Sequence, residues 1–250
     1  MTGLIQADLL KLRSLRSVYV LVVAALVIIA SSVTALSLAH DFDLGSQPVR
    51  QTVAVAGLGQ TFALILGVLA VTGEFRHGTM VSILLVSPRR LPVVASKVLT
   101  MLLTGLMLGL VAFGAAAVGA VMMMSARKVP GHESLADTGD MVLGGTLAAA
   151  IFAVLGVGIG LVVRNQAGAI IAALALLYAI EPILSVLPGI GDAVQRYGFG
   201  GLSSAASGTT ALHASADVLG QVPAGLVLAG YAAVFVAVGG FLLSRRDVAE

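Results

Sequence analysis

Long apolar runs separated by short polar connections extend through the chain from residue 18 to residue 243. A helix needs about 20 apolar residues, at ~1.5 Å each, to cross the hydrocarbon core of a bilayer. Six runs reach this length, and the second, which contains Gln60 and Thr61, is the most polar of them. The predicted spans are Val18–Ala39, Val53–Gly73, Val98–Met124, Met141–Val163, Ala167–Leu187 and Val222–Leu243.

The runs predict helices because backbone groups in hydrocarbon must find their hydrogen-bond partners within the same segment. The alternation of apolar and polar residues that is typical of a membrane β-barrel is absent from the sequence. We therefore predict an all-α integral membrane protein with six transmembrane helices, organised as a single transmembrane domain over residues 1–250.

The composition agrees with a lipid environment, since 58% of the 250 residues are hydrophobic and only 10% are charged. Soluble domains carry about 25% charged residues. The absence of cysteine excludes disulfides and thiolate metal sites, and the four histidines have no spacing typical of a metal site. We expect no metal site and no nucleic-acid partner.

The positive charges predict the orientation of the spans. Of the 14 Lys and Arg residues, ten fall on the side that carries both termini. The other side holds four, together with most of the acidic residues. Because cytoplasmic connections carry the excess of Lys and Arg, we expect both termini in the cytoplasm and the protein in the cell membrane. The ten residues are Lys11, Arg13, Arg16, Arg76, Arg89, Arg90, Lys97, Arg164, Arg245 and Arg246.

The N-terminal region has two competing interpretations. Residues 1–17 place five leucine and isoleucine side chains on one arc of a helical wheel, which predicts an amphipathic helix in the membrane interface. A basic tail that only sets the topology fits the same pattern. A cleaved signal peptide ending near Ser37–Ala39 is the further alternative, but the apolar run is longer than the 7–15 residues of a typical signal core.

No motif for catalysis is present. A P-loop requires Gly-Lys-Ser/Thr, and none of Lys11, Lys97 and Lys128 follows a glycine. No G-x-S-x-G motif occurs either. Ser203 and His213 lie in a predicted outer loop, whereas the serine of an intramembrane protease should lie within a span. We therefore expect no enzymatic activity and no cofactor in this chain.

The connection after the second span carries the strongest local signal, Glu74-Phe75-Arg76-His77-Gly78-Thr79 followed by an apolar stretch and Ser87-Pro88-Arg89-Arg90. Gly78 can end one helix by adopting a positive φ, and Thr79 can cap the next. Residues 80–86 then predict a short apolar helix that Pro88 stops. A segment of this kind lies in the membrane interface or docks in a groove on another protein.

These residues resemble permeases of the second class of ATP-binding-cassette (ABC) exporters, and the segment from Asp8 to Ser17 is similar to their entry segment. The resemblance implies a coupling helix within residues 74–92, received by a separate P-loop ATPase that binds ATP and magnesium. It also implies two copies of that ATPase and a second permease subunit, the same chain or a relative. The implied coupling residues are Glu74, Arg76, Gly78, Thr79, Met80, Ile83, Leu84, Arg89 and Arg90.

The resemblance further implies short re-entrant helices in the outer connection over residues 188–221, which is rich in glycine. Just before it, Glu181 is the one acidic residue inside a predicted span, and it precedes Pro182, which frees the carbonyl of Tyr178. Glu181 and Tyr178 are therefore candidates for a translocation pathway. Alternatively, Glu181 is hydrogen-bonded at the entry to the re-entrant region.

Two other classes of protein share this pattern of spans. A secondary transporter driven by an ion gradient usually carries several charges or broken helices in repeated positions. This chain has one such Glu and no evident inverted repeat. A membrane anchor or sensor that transports nothing is the other alternative. The substrate of an exporter would be a small amphipathic molecule, drug, antibiotic, peptide or lipid.

We predict that single cysteines at Ser14 and Arg246, placed in this Cys-free chain, stay unlabelled when intact cells meet a membrane-impermeant thiol reagent. Both positions lie on the side with the larger number of positive charges. Labelling of either position from outside would refute the predicted topology.

Overall fold

A computed structural model describes residues 16–39, 48–79, 90–128, 138–210 and 219–245. All elements within these ranges are helical. They are α1 (Arg16–Ala39), α2 (Pro48–Val53), a 3-10 turn (Ala54–Gly57), α3 (Leu58–Arg76), α4 (Arg90–Ala126), α5 (Gly139–Val163), α6 (Gln166–Ala175), a π-helical turn (Leu176–Ile180), α7 (Glu181–Ser185), α8 (Gly191–Tyr197), α9 (Phe199–Ala206) and α10 (Gln221–Arg245).

Five helical stretches among the described residues are long and apolar enough to cross a membrane. They are Val49–Arg76, Leu91–Ala126, Gly139–Val163, Gln166–Ser185 and Gln221–Arg245. The first predicted span corresponds to α1, whose apolar stretch Val22–Leu36 is shorter than these five. The all-α membrane architecture is confirmed, whereas the count of six spans stays a prediction. The segment over residues 1–17 lies outside the described residues except for its last two positions.

Helix α5 lies at the centre of the fold, packed against α3, α4 and α10. It is the most buried of the five stretches, and glycine and alanine make up much of its surface. In lipid the hydrophobic effect does not drive helices together, so association depends on close packing, which small side chains permit. The composition of α5 thus explains why three helices gather around it.

The contact between α3 and α5 brings the two backbones together at a pair of glycines. A Cβ added to Gly67 would overlap the carbonyl oxygen of Ala153, and one added to Gly156 would overlap the carbonyl oxygen of Leu64. On the neighbouring helix α4, a Cβ at Gly105 would come within 2.7 Å of the Cα of Ala150. The glycine pairs Gly105/Gly109 and Gly156/Gly160 therefore lie at helix–helix contacts.

The helices on both sides of the connection over residues 74–92 extend beyond the predicted spans. Helix α3 continues through Glu74 to Arg76, and α4 begins at Arg90, eight residues before the predicted third span. Within these extensions Glu74 pairs with Lys97, as described below.

We predict that Gly67→Ala destabilises the protein, because the added methyl group forces apart two helices in backbone contact. Overpacking of this kind costs about 1–3 kcal/mol, and thermal unfolding of the purified protein in detergent measures it. Gly73→Ala in the same helix is the matched control, since nothing lies within 4 Å of its added Cβ. Equal melting temperatures for the two variants would contradict the packing described here.

Candidate functional site

The motif Glu74-Phe75-Arg76 forms the last turn of α3, and each of its side chains contacts a different part of the protein. Glu74 contacts Lys97 on α4, Phe75 contacts Arg164, and Arg76 contacts Gln166 at the start of α6. We call these six residues the charged cluster. The cluster joins the ends of α3, α4, α5 and α6 on the side of the molecule that the charge pattern assigns to the cytoplasm.

The ion pair is the most buried part of the charged cluster. Lys97 Nζ lies 2.5 Å from Glu74 Oε1, and the two side chains are 6% and 1% exposed. Removing one partner of a buried pair typically costs about 3–5 kcal/mol, because the other charge is left without compensation. Replacing both partners by neutral groups is often harmless to stability. The pair therefore fixes the relative position of α3 and α4 more than it stabilises the fold.

Arg164 lies over the ring of Phe75, with 5.2 Å between the guanidinium carbon and the ring centroid. Its backbone is left-handed, with φ of 57°, at the C-terminal end of α5. Asn165 then caps α6, because its side-chain oxygen accepts a hydrogen bond of 2.9 Å from Gly168 N. This two-residue turn holds the arginine against the end of α3.

Arg76 is exposed, and its Nη1 donates to Gln166 Oε1 over 3.4 Å. Gly78 follows with φ of 66°, as its place after the helix predicted. Thr79 donates to the carbonyl oxygen of Glu74 over 3.5 Å. Its predicted role as the cap of the next helix stays a prediction, since residues 80–89 lie outside the described residues. Of the other predicted coupling residues, Met80, Ile83, Leu84 and Arg89 lie outside the described residues, and Arg90 begins α4.

Sequence reasoning included Glu74 and Arg76 in the site but missed Lys97, Arg164 and Gln166. Lys97 and Arg164 were counted only among the positive charges that predict the cytoplasmic side. One signal was available for Lys97: it lies next to an apolar run, and Glu74 occupies the matching place before the same connection. Because Glu74 is buried, its carboxylate does not form part of the surface in this conformation.

A second group of polar residues lies at the opposite end of α3. Ser203 of α9 donates to Oε1 of Gln60, which is itself 1% exposed. Thr61 Oγ1 lies 2.7 Å from Tyr178 Oη. With Glu181, these residues form what we call the polar cluster. Gln60 and Thr61, the two polar residues of the second predicted span, therefore connect this span to α9 and to the fifth predicted span.

The proline at position 182 does not interrupt the chain of helices. A π-helical turn over Leu176–Ile180 precedes it, and Glu181 N donates to the carbonyl oxygen of Leu176 in the wider pattern of that turn. The break predicted at Pro182 is thus a local widening of the helix. The turn presents Tyr178 with half of its surface exposed.

Glu181 caps the start of α9. Its Oε1 accepts a hydrogen bond of 2.5 Å from Phe199 N, and its Oε2 accepts one of 2.8 Å from Gly200 N. A carboxylate at a helix N-terminus satisfies free N–H groups and interacts favourably with the helix dipole. Of the two predicted roles for this residue, the geometry favours the hydrogen-bonded one.

The connection over residues 188–221 contains two short helices, α8 and α9, in the part that the structure describes. Gln195 donates to the carbonyl oxygen of Ser185, and Tyr231 of α10 donates to that of Tyr197. The ring of Tyr231 also meets Phe199 edge to face, with 5.4 Å between centroids. These contacts hold both helices against the end of α7 and the middle of α10.

A cavity of about 290 Å³ lies beside Glu181, bounded by the π-helical turn, α7, α8 and α9. Polar groups on its wall include Glu181, Gln195 and Ser204. A second, more apolar groove of about 480 Å³ runs between α4, α5 and α10 and ends where Gln221 donates to the carbonyl oxygen of Asp140. The first cavity offers the greater range of polar contacts to a solute.

The structure has several helices of membrane-spanning length. Charged side chains join them at one end, and a broken segment joins them at the other. This arrangement is that of a multi-pass helical membrane protein. The family model of the ABC-2 family transporter protein matches residues 4–181, more than half of the chain. The chain therefore belongs to the ABC-2 transporter family, as the resemblance in its sequence indicates, and is a permease of that family. No curated protein matches the chain.

The structure predicts that Glu181→Gln loosens α9. The amide keeps one oxygen but places an NH₂ against a backbone N–H, so one charge-assisted hydrogen bond is lost, at about 1.5–3 kcal/mol. Faster proteolysis within residues 199–206, together with a lower melting temperature, would show this effect. Asp192→Asn is the control, because it removes an equal charge from an exposed side chain. Equal protease sensitivity of the two variants would contradict the capping role.

Proposed function

We propose that the chain is the permease subunit of an ATP-driven exporter that works with a separate P-loop ATPase. The match to the ABC-2 family over residues 4–181 carries this proposal. Membership of the family implies an ABC ATPase as partner. ATP and magnesium would bind to that partner, in two copies per complex, and this chain would supply the membrane pathway.

The connection between α3 and α4 is the proposed contact with the ATPase. The exposed residues Arg76, His77 and Thr79 lie at its start. Residues 80–86 form an apolar sequence with arginines on both sides. A groove on the partner would bury the apolar residues, and acidic residues at its rim would pair with the arginines.

The pathway would form between this permease and a second permease subunit, the same chain or a relative. Tyr178 and Glu181 are the proposed pathway residues, since both lie on the least buried of the five membrane-length stretches. Glu181 would border the pathway while its carboxylate caps α9. The cavity beside Glu181 supports this assignment, because a partly polar wall next to apolar helices suits a small amphipathic molecule, drug, antibiotic, peptide or lipid.

The proposed location is the cell membrane, with six spans and both termini in the cytoplasm. The charged cluster would then lie at the cytoplasmic face, and α8 and α9 would lie at the outer face as re-entrant helices. The polar contacts of α8 and α9 with α7 and α10 support this placement, because a helix inside the bilayer needs protein partners for its polar groups.

We expect Ile83→Asp to weaken co-purification of the ATPase and to uncouple its hydrolysis from transport. Met80, Ile83 and Leu84 share one face of the predicted coupling helix, and burying each contributes about 1.5–3 kcal/mol. Affinity purification of the tagged permease with the ATPase encoded nearest to it, followed by an ATP hydrolysis assay, measures both effects. The variant should still reach the membrane.

Leu135→Asp is the matched control, because it makes the same kind of change in a predicted outer loop. It should alter neither the complex nor hydrolysis. Wild-type levels of complex and transport in Ile83→Asp would show that residues 76–90 are not the contact with the ATPase.

A further inference from the structure

The buried ion pair joins the two ends of the connection that the proposed function assigns to the ATPase. Glu74 precedes this connection and Lys97 follows it, 23 residues later, yet their side chains lie 2.5 Å apart. The residues on the two sides of the connection, Glu74 and Lys97, are therefore in direct contact. A movement of residues 77–89 would act on α3 and α4 together.

The other two contacts of the charged cluster extend this direct contact to the start of the fifth span. Phe75 meets Arg164 in the turn after α5, and Arg76 meets Gln166 at the start of α6. The same helical stretch, Gln166–Ser185, carries Tyr178 and Glu181 at its other end. A single set of side chains thus connects the loop to the stretch that borders the cavity beside Glu181.

We propose that Lys97 and Glu74 are positioning residues, which hold the ATPase-facing loop so that its movement reaches α4 and α6. This inference rests on the proposed function. Neither residue needs to touch the ATPase, because both are buried. Their role is to keep the neighbouring ends of α3 and α4 in one arrangement when the ATPase moves the loop.

An ion pair suits this role because separating two buried charges is costly. A buried charge has few alternative partners, so Lys97 remains paired with Glu74 when the helices move. A neutral pair of similar size would fill the space but would not select one arrangement as strongly. The stability of the fold and the transmission of movement should therefore respond differently to removal of both charges.

The double variant Glu74→Gln/Lys97→Met tests the proposal. We expect it to reach the membrane, to keep its melting temperature and to co-purify with the ATPase. The readout is the rate of ATP hydrolysis by the complex in liposomes, relative to the ATPase alone. Stimulation by the permease should fall by roughly threefold or more, within the usual range of coupling energies.

Two single variants complete the experiment. Lys97→Arg keeps the charge and should keep the stimulation, whereas Lys128→Met, in the connection after α4, removes a lysine far from the charged cluster and should change nothing. Full stimulation in the double variant would overturn the proposal. If this double variant does not fold, Glu74→Gln/Lys97→Gln serves, because it removes both charges and keeps a hydrogen bond between the two side chains. Stimulation at the wild-type level in that variant overturns the proposal equally.

The experiment separates this inference from the proposed function itself. If the wild-type permease neither binds nor stimulates the ATPase, the proposed function fails. If the wild type does both and the variants without the ion pair do so equally, the proposed function stands and only the positioning role is wrong.

Discussion

The close approach of α3, α4 and α10 to the small residues of α5 is the constraint on which the rest of the structure depends. Where Gly67 and Gly156 face the opposite backbone, the helices have no room for a side chain between them. A contact of this kind has few alternative arrangements, so we expect α3 and α5 to move together. The polar groups at the two ends of α3 then determine which other helices a movement of α3 and α5 would affect.

The two polar groups differ in a way that fits different tasks. The charged cluster is built from side chains on three helices and the turn after α5. It contains a buried ion pair, so Glu74 and Lys97 change partners only at high cost. The polar cluster uses neutral hydrogen bonds and one carboxylate that caps a short helix. Neutral hydrogen bonds are weaker, and we expect this end to rearrange more readily when a substrate passes.

Much of the architecture could be predicted from the sequence because the bilayer limits the choice of structure. The apolar run that contains Met141–Val163 corresponds to α5, and Gly78 ends α3 as its conformational freedom predicts. The contacts between distant residues could not be predicted in the same way. Glu74 and Lys97 are charged, and charges next to an apolar run usually mark the end of a span, whereas here they neutralise each other within the protein.

Glu181 shows a second reason for the limits of sequence reasoning. Because a carboxylate within an apolar run needs polar partners, the sequence indicated a polar environment for Glu181. It did not identify the residues that provide this environment. The N–H groups that it binds belong to Phe199 and Gly200, and backbone donors have no signature in a sequence. In the same way, the π-helical turn before Pro182 depends on how the helix adapts to the proline, which the presence of the proline alone does not determine.

Cross-linking from position 83 tests the central claim most directly, namely that the charged cluster presents the connection between α3 and α4 to an ATPase. A photoreactive residue at this position would be activated in the complex, with the ion pair intact and with both of its charges removed. We predict a covalent adduct with the ATPase from both forms, because the contact does not require the ion pair, and stimulated ATP hydrolysis only from the form that keeps the ion pair. No adduct from a complex in which the ATPase stays bound would contradict the assigned contact.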